Sequence, residues 1–171
     1  MQKYFPVLLL TACLAVAACA QTKSSALAQA PEKTAPAIQT PYDWVKIQRT
    51  ACFGRCPIYW IKVWPNGTVQ YFGKSFVPAT GLYEKQFDPA DVKGLFAGFE
   101  QNRVDTCRER YEMRVQDLPG LIIEFSFKGE KKRILNASFG PYFLRQLAEN
   151  ADKLLPVDAS WKHLSATEQE P

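Results

Sequence analysis

The stretch that decides the fold is IYWIKVWPNGTVQYFG, residues 58–73. Residues 58–64 are rich in β-branched and aromatic side chains that alternate between the two sides of an extended chain, which is typical of a strand. In the Pro65-Asn66-Gly67 segment that follows, the proline presets φ at the first turn position and the glycine accepts a left-handed φ. Residues 68–73 then return as a second strand, so the sequence predicts an antiparallel hairpin.

Strand patterns continue on both sides of this hairpin. Residues 44–53 before it are rich in β-branched and aromatic residues, and residues 82–87 after it extend the hairpin into a meander. Further along the chain, residues 121–127 and 133–138 flank a turn at Lys128-Gly129-Glu130-Lys131. This second pair of segments predicts another antiparallel hairpin.

Two helices complete the pattern. The first begins at Asp88, whose side chain accepts from exposed backbone N–H groups, with Pro89 in the first turn, and it ends near Asn102. The second covers residues 141–155. The expected fold class is α+β, an antiparallel β-sheet made of a meander and a hairpin and packed by two α-helices. The apolar residues of the first helix recur at i, i+3, i+4 and i+7: Val92, Leu95, Phe96 and Phe99.

The N-terminal residues have the pattern of a lipoprotein export signal. Lys3 supplies a positive start, residues 4–16 an apolar run, and Val16-Ala17-Ala18-Cys19 a small-residue site that ends in cysteine. This pattern resembles that of bacterial lipoproteins, in which cleavage precedes a cysteine that then carries the acyl chains. The resemblance implies a signal peptide at residues 1–18 and lipidation of Cys19. By the same resemblance, Ala20 favours the periplasmic face of the outer membrane.

Two alternatives remain for this segment. An uncleaved membrane anchor is disfavoured because residues 4–16 fall short of the roughly 20 apolar residues that span a bilayer. A second cleavage box, Leu10-Thr11-Ala12-Cys13, has suitable residue types, but it leaves only residues 4–10 as the apolar run. Cleavage before Cys19 is therefore the favoured prediction.

Composition divides the rest of the chain into three parts. Residues 19–40 form a lipidated N-terminus and a disordered tether of Ala, Gln, Ser, Thr, Lys and Pro, because without aromatic residues they bury too little apolar surface to offset their ordering entropy. Residues 41–164 have the length and aromatic content of a single globular domain. Residues 165–171 are a polar tail.

The charge pattern limits the partners. The net charge of +4 is mild, and the longest basic run, Lys131-Lys132-Arg133, lies beside a predicted turn, so no nucleic-acid partner is predicted. No cofactor is predicted either. The expected partners are the membrane, through the lipid on Cys19, and an unidentified envelope protein or small ligand.

The most distinctive local pattern is CFGRCPIY, residues 52–59. It has Arg49 upstream, Asn66-Gly67 and Gly81 downstream, and a later Tyr111 followed by Asp117-Leu118-Pro119. Together these residues resemble a bacterial domain-of-unknown-function family marked by a Cys-Phe-Gly-x-Cys-Pro-x-Tyr signature. The resemblance covers residues 43–155 and implies a small exported domain that is often lipidated, with no established reaction.

The three cysteines of the mature domain leave their pairing open. A Cys52–Cys56 disulfide has proximity in its favour if Gly54 folds the chain back, but closing so short a loop contributes only about 2 kcal/mol. A Cys52–Cys107 link would contribute about 4 kcal/mol because its loop is longer. Either pairing leaves one odd cysteine, and Cys107 is the preferred candidate.

Other chemistries have weaker support in the residues. A thiol redox site, with Arg55 lowering a thiolate pKa, lacks the usual Cys-x-x-Cys spacing. No metal site is predicted, because zinc takes four ligands as a rule and the chain offers three cysteines and His163. No catalytic residue is assigned: Asp117 and Glu124 are an imaginable acid–base pair, but a turn aspartate and an exposed strand glutamate are more common.

Trp60 and Trp64 fall on the same side of the predicted strand. They suggest a stacking platform for a sugar or a peptide, although a core-facing aromatic stripe is the more common arrangement.

These patterns favour an exported, outer-membrane-anchored lipoprotein that serves as a non-catalytic binding or accessory module of the cell envelope. One alternative is a thiol-active envelope protein that uses Cys52 and Cys56. Another is an inhibitor of an envelope hydrolase, which predicts an exposed rigid surface loop at Phe53, Gly54 and Arg55.

Overall fold

A computed structural model describes residues 36–112, 118–155 and 157–168. The predicted signal peptide, Cys19, Ala20 and most of the predicted tether lie outside these residues. The described chain forms one seven-stranded antiparallel sheet and two α-helices, which confirms the α+β class. The strands are β1 (Tyr42–Arg49), β2 (Ile58–Val63), β3 (Thr68–Ser75), β4 (Gly81–Gln86), β5 (Leu121–Phe127), β6 (Glu130–Ile134) and β7 (Lys162–Ser165), and the helices are α1 (Pro89–Gln101) and α2 (Tyr142–Asp152).

The sheet combines the predicted meander and hairpin around a central strand. Its order is β6-β5-β1-β2-β3-β4-β7, and neighbouring strands are antiparallel. Ile47 of β1 stands opposite Ile61 of β2 on one side and Ile123 of β5 on the other. The chain therefore builds β1 to β4 in sequence, crosses the sheet through α1, and adds β5 and β6 beside β1.

The turn between β2 and β3 requires the glycine that the sequence places there. Gly67 has φ +85°, and a Cβ at this position would lie 2.2 Å from the Phe87 carbonyl oxygen. The Gly67 N–H donates to the Trp64 carbonyl at 3.0 Å, and the Phe87 N–H donates to the Gly67 carbonyl at 2.9 Å. This turn thus also fixes the end of β4.

The helix α1 begins and packs as its sequence predicts. The Asp88 carboxylate accepts from the Ala90 N–H at 2.8 Å, which caps the first turn. Gly98 lies against α2, because a Cβ there would come 2.6 Å from a methyl carbon of Leu147, whereas Gly94 has open space around it. The predicted apolar stripe is buried: Val92, Leu95, Phe96 and Phe99.

One face of the sheet and the two helices enclose the main core. Tyr42 of β1 lies near its centre, with its ring edge-on to Phe99, Phe125 and Phe127 at centroid distances of 5.5, 5.4 and 5.0 Å. Its hydroxyl donates to the Phe99 carbonyl at 3.3 Å and accepts from the Asp105 N–H at 3.2 Å. No helix in the described part of the chain is both long and apolar enough to cross a membrane.

Several boundaries differ from the sequence expectation. The strand predicted at residues 133–138 is β6, Glu130–Ile134, because the turn before it is only two residues long, and residues 137–139 form a short 3-10 helix instead. The helix predicted at residues 141–155 is α2, Tyr142–Asp152. The strand β1 ends at Arg49 rather than continuing to residue 53, because the Thr50 N–H turns to the Gly120 carbonyl and the disulfide loop follows. Ile38, which composition assigned to the tether, donates its N–H to Pro65 and packs against the core. Polar residues near the C-terminus form β7, in which His163 packs against the ring of Tyr83 at 4.9 Å.

Candidate functional site

The cysteine loop lies between β1 and β2. Cys52 and Cys56 are disulfide-bonded with their Cα atoms 5.7 Å apart. Between them, the Phe53 side chain is 89% exposed and Gly54 has φ +146°. The Arg55 guanidinium lies 5.7 Å from the ring centroid of Phe76, which is itself exposed. The loop therefore presents the Phe53 ring to solvent, and its Arg55 lies near an exposed ring of the connection between β3 and β4.

Cys107 is the free cysteine of the described chain. This confirms the prediction that Cys107 is the cysteine left without a disulfide partner. It is partly buried at the edge of the main core. Burial raises the pKa of its thiol, with a hydrogen bond to Tyr111 acting in the opposite direction. Since the thiolate is the reactive species, this environment makes Cys107 less nucleophilic than an exposed cysteine.

Arg49 and Tyr59, which flank the cysteine loop in the sequence, meet at one carboxylate. The Arg49 guanidinium donates to Asp152 at 2.6 Å, and the Tyr59 hydroxyl donates to the other oxygen of Asp152 at 2.8 Å. Burial, followed by the charge of Asp152, raises the pKa of Tyr59 to about 12. The three side chains fasten the C-terminal end of α2 to β1 and β2.

A second region lies on the side of the sheet opposite the helices. Ile61 and Val63 of β2 belong to the main core, so the alternation of a strand turns Trp60 and Lys62 to the opposite side. There Trp60 packs with Phe72 and Leu82 in a small cluster that contains no helix residue. We call this side the open face and define it by Trp44, Lys46, Trp60, Lys62 and Phe72.

The predicted platform of Trp60 and Trp64 therefore belongs to the open face rather than to the helix-covered core. Trp60 is nevertheless only 2% exposed. Its indole N–H donates to the Glu168 carboxylate at 2.7 Å, so the segment after β7 reaches this face. Trp60 is consequently covered by the protein's own C-terminal region.

Lysines and tryptophans interleave on the open face. The Lys62 ammonium lies 4.5 Å from the ring centroid of Trp44 and 4.8 Å from that of Trp64, so two indoles flank it. The Lys46 ammonium lies 4.8 Å from the ring centroid of Trp60 and 3.4 Å from Glu124. Lys46 is only 5% exposed. Such contacts between cations and aromatic rings hold the ammonium groups in place.

A cavity of about 270 Å³ opens beside these lysines. Glu124 lies in its wall and accepts from Arg133 at 2.7 Å. A neighbouring cavity of about 230 Å³ continues along the open face past Trp60, Phe72 and Lys74. The first cavity is named the Lys62 cavity and is lined by Trp44, Lys46, Lys62, Glu124, Lys131, Lys132 and Arg133.

The acid–base pair and the metal site considered in the sequence analysis can be compared with the described residues. Glu124 is held by Lys46 and Arg133, which is not the arrangement of a general acid or base, and Asp117 lies outside the described residues. Within residues 36–112, 118–155 and 157–168, no group of three or more His, Cys, Asp or Glu side chains is placed to hold a metal ion.

Sequence reasoning missed the Lys62 cavity, although part of its signal is visible. Lysines alternate with tryptophans at positions 44, 46, 60, 62 and 64, which is an unusual composition for a solvated strand face. The pairing of β1 with β2, which brings the two sets together, is a property of the fold.

Comparison with known families supports the likeness seen in the sequence. The family model described as a domain of unknown function, DUF6438, matches residues 43–155. The chain belongs to the DUF6438 family. No curated protein matches this chain.

The residues matched by the DUF6438 model correspond to most of the described fold. It begins in β1 and ends just after α2, so it contains six strands, both helices, the cysteine loop and the residues that line the Lys62 cavity. The strand β7 and Glu168 lie beyond it. The cover over Trp60 is thus formed by residues outside the matched DUF6438 span.

Proposed function

We propose that this chain is an exported lipoprotein, anchored through a lipid on Cys19 to the periplasmic face of the outer membrane, whose DUF6438 domain is a non-catalytic binding or accessory module. The export signal in residues 1–19 supports the anchor. The binding surface is the open face.

The composition of the open face carries this proposal. When helices cover one side of an antiparallel sheet, the other side can simply be solvated and polar. Here it instead has a concave cavity in which Trp44 and Lys62 lie together, and ligand sites typically combine concavity, aromatic walls and a few placed polar groups. A surface of this kind suits binding.

The state of the carboxylates supports binding rather than catalysis. Glu124, in the cavity wall, is engaged by Lys46 and Arg133, and Asp152 is engaged by Arg49 and Tyr59. A general acid or base must be within reach of a substrate proton, whereas the oxygens of both carboxylates are already bonded to side chains of the protein.

The anchor is tested by mass mapping of N-terminal peptides and by fractionation of envelope membranes. We expect an acylated Cys19 in the outer-membrane fraction, and release of Cys19→Ala from that fraction. Cys13→Ala is the matched control, because it removes the cysteine of the competing cleavage box, and it should stay anchored. An unmodified Cys19, or an anchor that depends on Cys13, would overturn the proposal.

The thiol-active alternative is favoured by one observation, the Cys52–Cys56 disulfide, whose half-buried cysteines flank the exposed residues 53–55. A structural disulfide in a five-residue segment contributes about 2 kcal/mol. We therefore expect Cys52→Ser/Cys56→Ser to lower the free energy of unfolding by about that amount, with Cys107→Ser as the single-thiol control. A redox pair would instead cycle under mild reductant without loss of stability, and that result would favour the alternative.

The inhibitor alternative is favoured by the exposure of Phe53 on a loop closed by a disulfide. An inhibitory loop must present an exposed and rigid surface to its target hydrolase. Resistance of the Arg55–Cys56 bond to trypsin in the folded protein would support this alternative, and ready cleavage there would count against it.

A further inference from the structure

We propose that the cavity beside Trp60 binds an acidic peptide segment of a partner protein, and that Glu168 occupies this cavity as the protein's own competing ligand. This inference deepens the proposed role of the open face as a binding surface and rests on it, but it does not depend on the lipid anchor.

The cavity combines buried aromatic side chains with a lysine. It measures about 230 Å³, and its lining residues include Trp60, Phe72, Lys74 and Glu168. We name it the Trp60 cavity. Its volume lies below the range of about 300–1,000 Å³ that is typical of small-molecule sites, and the Glu168 side chain takes up part of the space. Withdrawal of Glu168 would therefore uncover more of the aromatic surface.

The contact of Glu168 shows which chemistry the Trp60 cavity accepts. An indole N–H is a donor only, so an occupant that satisfies Trp60 must bring an acceptor. Glu168 brings a carboxylate oxygen to 2.7 Å, and hydrogen bonds to ionised acceptors are stronger than those to neutral ones. The exposed Lys74 adds a positive charge to the wall of the same cavity. The cavity thus favours an acidic ligand.

The path of the chain shows how a peptide segment reaches this cavity. Trp60, Phe72 and Leu82 stand side by side on β2, β3 and β4, and Ser165 of β7 is opposite Leu82. Three residues after Ser165, Glu168 meets Trp60, so this short segment crosses the sheet from its edge to β2. An acidic segment of another protein can use the same row of side chains once this one has left.

The segment over Trp60 is lightly attached. Residues 166–168 are exposed, and one described hydrogen bond joins them to the cavity. The strand β7 before them is only four residues long, whereas Trp161 is buried in the main core. Segments with few buried contacts open locally at a free-energy cost well below that of global unfolding. Residues 166–168 can therefore leave the cavity while Trp161 keeps the C-terminal region attached.

The DUF6438 span separates the cavity from its occupant. Trp60, Phe72 and Lys74 lie inside the matched residues, whereas Glu168 lies beyond them. A covalently attached competitor acts at a high effective concentration, and a ligand that binds only the open state loses apparent affinity in proportion to the population of that state. The C-terminal segment is thus a built-in regulator of partner binding.

The test is a titration of the full chain, purified in detergent, with an acetylated and amidated peptide, SATEQEP, that copies residues 165–171. The readout is the indole N–H signals of the four tryptophans in two-dimensional NMR spectra. In the Glu168→Ala variant, we expect the Trp60 signal to move in a saturable way. The peptide SATQQEP, which lacks the first carboxylate, and N-acetylglutamate, which lacks the rest of the peptide, should bind much more weakly.

Three variants separate the contributions. Glu168→Ala frees the cavity, so it should bind SATEQEP about tenfold or more tightly than the wild type does. Glu149→Ala removes an exposed glutamate on α2, away from the open face, and should bind like the wild type. Lys74→Met in the Glu168→Ala background removes the cation of the cavity wall and should weaken binding severalfold. All three positions are exposed, so the melting temperatures should stay close to that of the wild type.

Four results would overturn the inference: a stationary Trp60 signal in Glu168→Ala, equal affinity of Glu168→Ala and the wild type, equal binding of SATQQEP, or full affinity after the change of Lys74. Binding of N-acetylglutamate as tight as that of SATEQEP would also overturn it, because the ligand class would then be a small carboxylate rather than a peptide.

The tryptophan signals also separate this inference from the proposed function. Movement of the Trp44 or Trp64 signal alone would reject the Trp60 cavity but keep the open face as the binding surface. Movement of the Trp161 signal alone would count against both, because Trp161 lies in the main core on the helix-covered side.

Discussion

Asp152 accepts hydrogen bonds from two polar side chains, and these bonds hold a helix against the sheet. Its two oxygens accept from Arg49 and from the Tyr59 hydroxyl, which joins the end of α2 to two strands. Arg49 and Tyr59 belong to the family-like pattern around the cysteine loop, and their hydrogen bonds lead to the helix α2. Their contribution is therefore to the stability of the domain.

The tyrosines of this region predict a loss of stability at alkaline pH. Burial is the main cause that raises the pKa of Tyr59 and of Tyr71 to about 12, from an ordinary value of 10.0. The folded state thus keeps protons that the unfolded chain releases, so this stability is fully present below pH 10 and is lost as the pH rises through 12. We expect the free energy of unfolding, measured with urea, to fall over that window.

A pair of variants isolates the contribution of Tyr59. Tyr59→Phe has no proton to lose at this position, so its stability should fall less steeply between pH 10 and 12 than that of the wild type. Tyr142→Phe removes an exposed tyrosine and should keep the wild-type slope. Equal slopes in Tyr59→Phe and the wild type would contradict the prediction.

Two glycines with the same backbone angle provide a second test at the residue scale. Gly67 and Gly129 both have φ +85°, but a Cβ at Gly67 would meet the Phe87 carbonyl oxygen, whereas Gly129 has open space. Gly129→Ala should cost about 1 kcal/mol of unfolding free energy from backbone strain alone. Gly67→Ala should cost more, by about 2 kcal/mol or above, because the turn must also shift. Similar losses in urea denaturation would refute the steric argument.

At the scale of elements, β7 and the residues after it form a cover for part of the open face. The strand pairs with β4, and Glu168, three residues beyond the strand, accepts the indole N–H of Trp60. One described hydrogen bond joins this cover to Trp60. We therefore expect a single substitution at Glu168 to loosen the contact between the cover and Trp60.

Glu168→Ala should therefore change the environment of Trp60. The freed indole N–H turns to water, and we expect the tryptophan emission to move to longer wavelength with little change in melting temperature. In a Trp60→Phe background, Glu168→Ala should leave the emission unchanged, because the remaining tryptophans have no described hydrogen bond to Glu168. A shift that persists in that background would show that another tryptophan responds.

At the scale of the whole molecule, local signals predicted most elements. Asp88 marked the start of α1, and residues 121–127 match β5 at both ends, because capping and alternation act over a few neighbouring residues. The strand β7 was missed because Lys162–Ser165 has no apolar alternation, and it pairs only because the chain returns to the edge of β4.

The Lys62 cavity was beyond sequence reasoning for a different reason. Lys46 and Lys62 become neighbours through the register of β1 with β2, and the connection between these strands is a disulfide loop rather than a short turn that would fix the register. The cysteine pair itself was accessible, because proximity along the chain already favoured Cys52 with Cys56 over a distant partner.

The two outer strands have a consequence for how the domain behaves when many copies crowd together. Exposed strand edges recruit further strands and lead to aggregation unless they are short or charged. The outer strand β6 begins with four charged residues, Glu130 to Arg133, and the other outer strand, β7, is only four residues long. Neither edge is a good template for another chain, so we expect the described sheet not to recruit strands from neighbouring copies at high local density.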